Sequence, residues 1–488
     1  MVIDINVLAG GPSRREYGFE AALQGLASHS ISAAFVAPRT GAVYRQEVGN
    51  DEALRWAGVA NGVHVYAVAT LNPVQYLGWP AELERARAAG VVAIRLFPDL
   101  QHWSVRSEAF RESVSAIGAR SPLLVPVSTF GDASAIGNAT QHRDAPVVLL
   151  GAHYTQLADC LAAVRHWSHL HLETSRLAQF RGVETAVREV GAERLLFGSG
   201  APTRPIQAAL NAVLTADISE LERNAILGGN AARLFGVTVP DKRETPRATV
   251  AGGLIDVHGH VGSLGFTTPW VEPSEYPAMV ARHGIKKTMA SSLRAIVDEP
   301  EVGNAEAQRA SSEALLVYVV LNPNDLDGAC AAMDAAYRAD RVVGAKIHCS
   351  WSGQPTASRA CMTLLREVAR RGRPLKIHVD GPQWEEALAE IASSHPGWRV
   401  IVAHGGPGMA SRECAQLLQA TSNVYVELST SYADLPVVRD VVKAAGPTRL
   451  LFGSDAPLLD PAYVQGIYAD AGADLASTAA VAATVFGL

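Results

Sequence analysis

Arg194-Leu-Leu-Phe-Gly-Ser-Gly-Ala-Pro202 and Arg449-Leu-Leu-Phe-Gly-Ser-Asp-Ala-Pro457 differ at one position in nine and lie 255 residues apart. Other echoes keep almost the same offset. Val2-Ile-Asp4 answers Leu254-Ile-Asp256, Leu71-Asn72-Pro73 answers Leu321-Asn322-Pro323, and Ala152-His153 answers Ala403-His404. Leu172-Glu173-Thr-Ser175 likewise answers Val426-Glu427-Leu-Ser429. Collinear matches at a near-constant spacing mark a tandem duplication, a pattern read before any single element. Between the copies, Val239-Pro-Asp-Lys-Arg-Glu-Thr-Pro-Arg-Ala-Thr249 is polar, holds two prolines and shows no apolar period, so it reads as a linker. The expected domains are residues 1–238, a linker over 239–250, and residues 251–488. Each copy is close to the roughly 250 residues of a (β/α)8 barrel.

Inside the second copy, eight short apolar runs have strand character: Leu254–Val257, Lys287–Ala290, Leu316–Val320, Val342–Ile347, Pro374–Val379, Val400–Ala403, Val424–Leu428 and Arg449–Phe452. Between them, stretches such as Ala329–Tyr337, Ala360–Ala369 and Glu385–Ala392 place polar residues at helical spacing. Strand and helix alternating eight times implies parallel strands joined by right-handed crossovers. Such strands are buried on both faces and should be almost continuously apolar, as these are. No glycine-rich phosphate turn follows the first strand, which argues against a doubly wound sheet. The fold class expected is α/β, as two tandem TIM-like (β/α)8 barrels.

Composition narrows the function. Forty-two Lys and Arg against 48 Asp and Glu leave a net charge of −6, with no field for gripping nucleic acid or anionic lipid. No apolar run reaches the roughly 18 residues of a membrane helix. The start, Met-Val-Ile-Asp4, lacks a basic region, so it does not read as a signal peptide. Five cysteines without a Cys-x-x-Cys pair read as reduced thiols, and the expected location is cytoplasmic.

In such barrels, chemistry sits at the C-terminal ends of strands. There the second copy places His258 and His260, Lys346 and His348, His378, His404, Glu427 with Ser429, and Asp455. Side chains two apart on a strand share a face, so His258 and His260 can hold one metal between them. Neutral imidazoles and a carboxylate converging on one mouth suit a borderline-soft divalent cation. His-x-His on the first strand, histidines on the fifth and sixth and an aspartate on the eighth resemble the amidohydrolase superfamily. More narrowly, Ala403-His-Gly-Gly406, Phe452-Gly-Ser-Asp-Ala-Pro457 and Leu227-Gly-Gly-Asn-Ala-Ala-Arg-Leu-Phe-Gly236 resemble its amidohydrolase-related branch of small hydrolases and aminocarboxymuconate-semialdehyde-type decarboxylases.

That resemblance implies His258, His260, His378 and Asp455 as ligands of one Zn²⁺, or another divalent transition metal, per chain. It implies His404 as an acid/base that orients the attacking water, with Asp455 also taking a proton. A bound zinc ion lowers the pKa of water to about 7, and the base must stand within hydrogen-bond reach. Lys346 has two readings: a carboxylated lysine bridging two metals, or an ammonium that binds a substrate carboxylate or pairs with Glu427 or Asp455. His348 adds a ligand or lines the pocket. Trp270, Phe266 and Trp351 line a pocket or cap the barrel.

Aligning the copies leaves the first without this set. Asn6 and Leu8 stand for His258 and His260, Pro126 for His378, Gly200 for Asp455 and Arg95 for Lys346, while His153 falls near the His404 position. The first barrel therefore reads as a pseudoenzyme that buttresses the second as an intramolecular pseudo-dimer, with a homo-oligomer also open. Arg176 and Arg204 are candidates to reach across to the live barrel, or solvated surface residues. His166, His169 and His171 fall at the wrong end of a strand for chemistry. Cys349 follows His348 without an activating partner.

The expected function is a metal-dependent hydrolase that cleaves a C–N or C–O bond of a small molecule. The alternative is a nonoxidative decarboxylase, with Lys346, Arg294 or a cross-domain arginine holding the departing carboxylate. A non-catalytic binding or scaffold protein is the second alternative. No nucleic acid or membrane partner is expected.

Overall fold

Both halves run their parallel strands in sequence order, which the short strand–helix connections dictate. The computed structural model describes residues 1–10, 15–73, 78–119, 121–239, 244, 246–264 and 271–488. They form two compact units, Met1–Ala248 and Thr249–Leu488. Val239, expected in the linker, is buried in the core of the first unit. Residues 240–243 and 245 of that linker lie outside the described residues, as do Phe266 and Trp270.

In the first unit the strands are Ile3–Ala9, Ala33–Pro38, Val63–Thr70, Ala93–Arg95, Leu123–Pro126, Val147–Leu150, Leu170–Glu173 and Leu195–Leu196. Gly58–Ala60 is added antiparallel to the third. The ring is tied by Ile5 N donating to Phe197 O at 3.1 Å and Gly200 N to Asn6 O at 2.9 Å. In the second unit the strands are Leu254–Val261, Ile285–Ser292, Leu315–Leu321, Val342–His348, Leu375–His378, Val400–Val402 and Val424–Val426. The eighth run, expected over Arg449–Phe452, differs. Arg449 ends the long helix Leu435–Arg449, and the run closes the barrel through isolated bridges, Val426 to Leu450 and Asp256 to Phe452. Gly453 passes directly over Glu427, where a β-carbon would come within 2.6 Å of the carboxylate.

Several helices present one apolar stripe to their barrel. Arg359–Arg371 buries Cys361, Met362, Leu364, Leu365, Val368 and Ala369, starts where Ser358 accepts from Cys361 N at 3.2 Å, and stops at the left-handed Gly372. Leu475–Phe486 packs Val481, Ala482 and Val485 against Ile255, Val257 and Leu451. All five cysteines are unbridged. Among the described residues no helix is long and apolar enough to cross a membrane.

A polar staple links the first strand of the second unit to its closing turn. Asp256 accepts from Ser454 N at 2.9 Å, from Ser454 Oγ at 2.6 Å and from His258 N at 2.9 Å. Ser454→Ala is expected to cost about 1–3 kcal/mol, the worth of a buried hydrogen bond to a charged group, in urea denaturation. An unchanged midpoint would show that the staple contributes nothing.

Candidate metal centre

Three donors meet at the mouth of the second barrel. His258 and His260 ride on Leu254–Val261, whose register with the next strand slips between Asp256 and Gly259, and their rings lie 5.0 Å apart. Asp455 arrives on the closing turn, held by its own N–H on His258 O at 2.7 Å. Its φ is +60°, and that of His404 is +59°. Non-glycine residues rarely hold such backbone, and the cost is tolerated where it aims a functional side chain. His260 Nε2 is 3.0 Å and His258 Nε2 3.5 Å from Asp455 Oδ1. Ligand atoms about 2.1 Å from one ion at angles between square and tetrahedral lie about 3.0–3.4 Å apart, so this donor set fits a single divalent cation.

The surrounding hydrogen bonds orient the donors. Glu427 Oε1 accepts from His258 Nδ1 at 2.8 Å, from Lys376 Nζ at 2.9 Å and from His404 N at 2.9 Å, and Oε2 accepts from Ser429 N at 2.7 Å. With its proton on Nδ1, His258 turns its Nε2 lone pair to the mouth. His258, His404 and Glu427 also lie within ligand distance of one another. Glu427, however, is already filled with donors, whereas His258, His260 and Asp455 each turn a ligand atom to a common point. Ser291 Oγ stands 3.2 Å from His260 Nδ1, leaving Nε2 toward Asp455.

His404 directs Nδ1 to the Ser429 carbonyl and Nε2 to His378 Nδ1, 3.1 Å away. His378 stacks on His348 at 3.9 Å. The structure thus brings His378 against His404 and His348, beside the His258–His260–Asp455 group. Lys346 is fully buried, and its Nζ lies 3.2 Å from His258 Nε2. Neither Glu427 nor Asp455 pairs with it among the described residues.

Burial dominates the electrostatics. It pushes Lys346 down to about 7, with the charge of Lys376 adding to the effect. It drives His258 well below the usual imidazole value, helped by Lys376 and Lys346, and lowers His260 against the pull of Asp455. It would raise Glu427, yet Lys376 and His258 more than offset it and hold that carboxyl well below the ordinary range. Asp256 is pushed up to about 6 by burial, against its Ser454 bond.

A pH dependence follows. Burial lowers His153, His171, His258, His260, His348 and His378. An imidazole kept neutral in the folded chain stabilises above its unfolded value near 6.5, and that stability is lost as pH falls. Asp4, Asp256 and Glu173, raised by burial, act oppositely and regain stability as pH falls toward their ordinary values. Six histidines outweigh three carboxyls, so the Tm of the metal-free chain should drop by about 5 °C or more between about pH 7 and pH 5. A flat or rising Tm would mean that these rings are protonated in the folded state.

Other expected candidates fall elsewhere. Arg294 is half-exposed and bound to Glu299 and Glu306, so it is corrected from a carboxylate-binding role to a surface ion pair. Arg176 and Arg204 line the mouth of the first barrel itself. Trp351 is exposed and borders a small cavity with His348 and Asn324. Cys349 is buried against Cys361 and Thr356. His169 contacts Thr140, and His171 contacts the His169 carbonyl. Lys376 and Asp256 were not anticipated as site residues. A charged residue inside an otherwise apolar run was the available signal for each.

An amidohydrolase family model matches residues 27–237 and again 255–487. No curated protein matches the chain in sequence. Among solved structures, the chain is similar to 2,6-dihydroxybenzoate decarboxylase from Rhizobium, with 14% identity over 49% of this chain and 99% of that one and a TM-score of 0.39. It is also similar to a probable 2-pyrone-4,6-dicarboxylic acid hydrolase from Acinetobacter baumannii, with 14% identity, 48% and 99% coverage and a TM-score of 0.38. A third is amidohydrolase 2 from Bifidobacterium longum subsp. infantis, with 17% identity, 48% and 98% coverage and a TM-score of 0.38.

Proposed function

The chain belongs to the amidohydrolase family in both halves, and from that premise we propose that its second barrel is a divalent-metal enzyme hydrolysing a C–N or C–O bond of a small molecule. The observation that carries this reading is the convergence of His258 Nε2, His260 Nε2 and Asp455 Oδ1. These three would hold one ion per chain, zinc or another transition metal, while His378 lies against His404 and His348. The ion supplies a Lewis acid that polarises a carbonyl and activates a water at neutral pH.

The chain's own groups do the rest. The carboxylate oxygen of Asp455 that is not turned to His258 and His260 would accept the proton of the attacking water. His404, fixed through Nδ1 on Ser429 O, orients that water once its Nε2 turns from His378, and the proton taken up by Asp455 passes to the leaving group. Lys346, buried beside His258, holds a negatively charged substrate oxygen. The first barrel, with Asn6, Leu8, Pro126 and Gly200 at the ligand positions, takes no part in this chemistry.

A specific observation favours a second reading. Lys346 is a buried ammonium without an acidic partner among the described residues, as a departing carboxylate needs, so nonoxidative decarboxylation by the same site is the alternative. The test loads the chelated chain with zinc or manganese and offers lactones, amides and hydroxylated aromatic acids. Metal-dependent ring opening or amide cleavage supports hydrolysis, and metal-dependent CO₂ release supports the alternative. Turnover that survives chelation would contradict both.

A further inference from the structure

The first barrel has kept the framework of the second and changed what the framework points at. Asp4 takes Ser199 N, Ser199 Oγ and Asn6 N, as Asp256 takes its serine and histidine partners. Glu173 accepts from Asn6 Nδ2 at 3.2 Å, Gly151 N at 3.0 Å, Ser175 N at 2.6 Å and Ser175 Oγ at 2.9 Å. An amide therefore sits on Glu173 where an imidazole sits on Glu427. Asp4 and Glu173 are both hydrogen-bonded by neutral donors alone.

Above them is a cavity of about 170 Å³, with Arg95, Arg176 and Arg204 in its lining. Arg95 ends the fourth strand, where the second barrel has Lys346. It is only 8% exposed, and its Nε has no partner. Among the described residues its guanidinium makes no hydrogen bond or ion pair; it lies 5.0 Å from the Phe97 ring, and Glu173 and Asp4, already hydrogen-bonded elsewhere, act on it only through their charge. Arg204 occupies the seat of the lost aspartate. A β-carbon on Gly200, the counterpart of Asp455, would lie 2.5 Å from Arg204 Cδ, so the aspartate and this arginine position exclude each other. At the rim Asp99 accepts from Ser128 Oγ, and it is the one carboxylate in the lining.

We propose that the first barrel binds a small oxyanion, carboxylate or phosphate, in this cavity through Arg95, Arg176 and Arg204. A buried guanidinium without a partner is costly, and a bound anion offsets that cost through paired N–H bonds to its oxygens. The cavity holds roughly five waters at about 30 Å³ each, the scale of a small acid and not of a polymer. The field at the mouth is positive: burial together with the charges of Arg176 and Arg204 holds His153 down to about 3. The barrel has thus exchanged a cation site for an anion site on one scaffold.

The test is calorimetric titration of the full, metal-chelated chain with succinate, benzoate and inorganic phosphate in an amine buffer. At least one probe should bind at one site per chain. Arg204→Gln and Arg95→Gln should each weaken it about tenfold or more, as expected for losing a charged hydrogen-bond donor. Arg294→Gln, at a surface ion pair of the second barrel, should leave it within about twofold, so that a loss confined to the arginines of the first barrel places the anion there. Tighter carboxylate binding assigns the acid class, and tighter phosphate binding assigns phosphate. If Arg95→Gln fails to fold, the half-buried Arg204→Gln carries the comparison. No binding by any probe up to about 10 mM, or binding unchanged in Arg204→Gln, overturns the proposal.

Discussion

Substituting His258 by Ala is expected to lower the affinity of the chain for zinc at least about 100-fold, more than the loss of an outer hydrogen-bond partner costs. The reason lies in where the ring stands. Its Nδ1–H is spent on Glu427, and its Nε2 faces Asp455 at 3.5 Å and Lys346 Nζ at 3.2 Å. Alanine removes one donor of the set and also frees Glu427 Oε1 from one of its three contacts. Competition against a chromogenic chelator measures the change, and His153→Ala in the first barrel serves as the comparison. Equal affinity in wild type and His258→Ala would place the ion elsewhere.

Glu427→Gln is expected to destabilise the chain by about 3–5 kcal/mol, because it leaves a buried ammonium without its counter-charge. Lys376 and Glu427 are both wholly inaccessible and 2.9 Å apart. The double variant Lys376→Met/Glu427→Gln should recover part of the loss, since removing both charges removes the uncompensated one. Urea denaturation of the four proteins closes the cycle. A single-variant cost below about 1 kcal/mol, or a double variant no more stable than Glu427→Gln, would show that the pair is not the strut described here.

Much of this architecture was legible beforehand because its causes are local. Apolar runs such as Leu315–Leu321 and Val342–His348 become strands since a parallel barrel buries both faces, and the duplication doubled the signal. His258, His260 and Asp455 could be placed because strand ends converge by topology. Pairings across the barrel were not legible. Lys376 finds Glu427 across 51 positions, and nothing local to either residue announces the other. His378 ends its strand as expected, yet which neighbour its Nδ1 meets depends on the left-handed turn at His404. Arg176 and Arg204 read as surface or cross-domain residues until the missing β-carbon of Gly200 showed the space Arg204 fills. The closing of the second barrel by isolated bridges in place of an eighth strand was likewise not legible.

The most direct measurement is the metal content of the full chain by elemental mass spectrometry, after chelation, reloading with zinc and removal of excess ion. One ion per chain, absent from His258→Ala and retained in Arg95→Gln, is the predicted result. No ion retained by the wild-type chain, or one that persists in His258→Ala, would contradict a metal centre built on His258, His260 and Asp455.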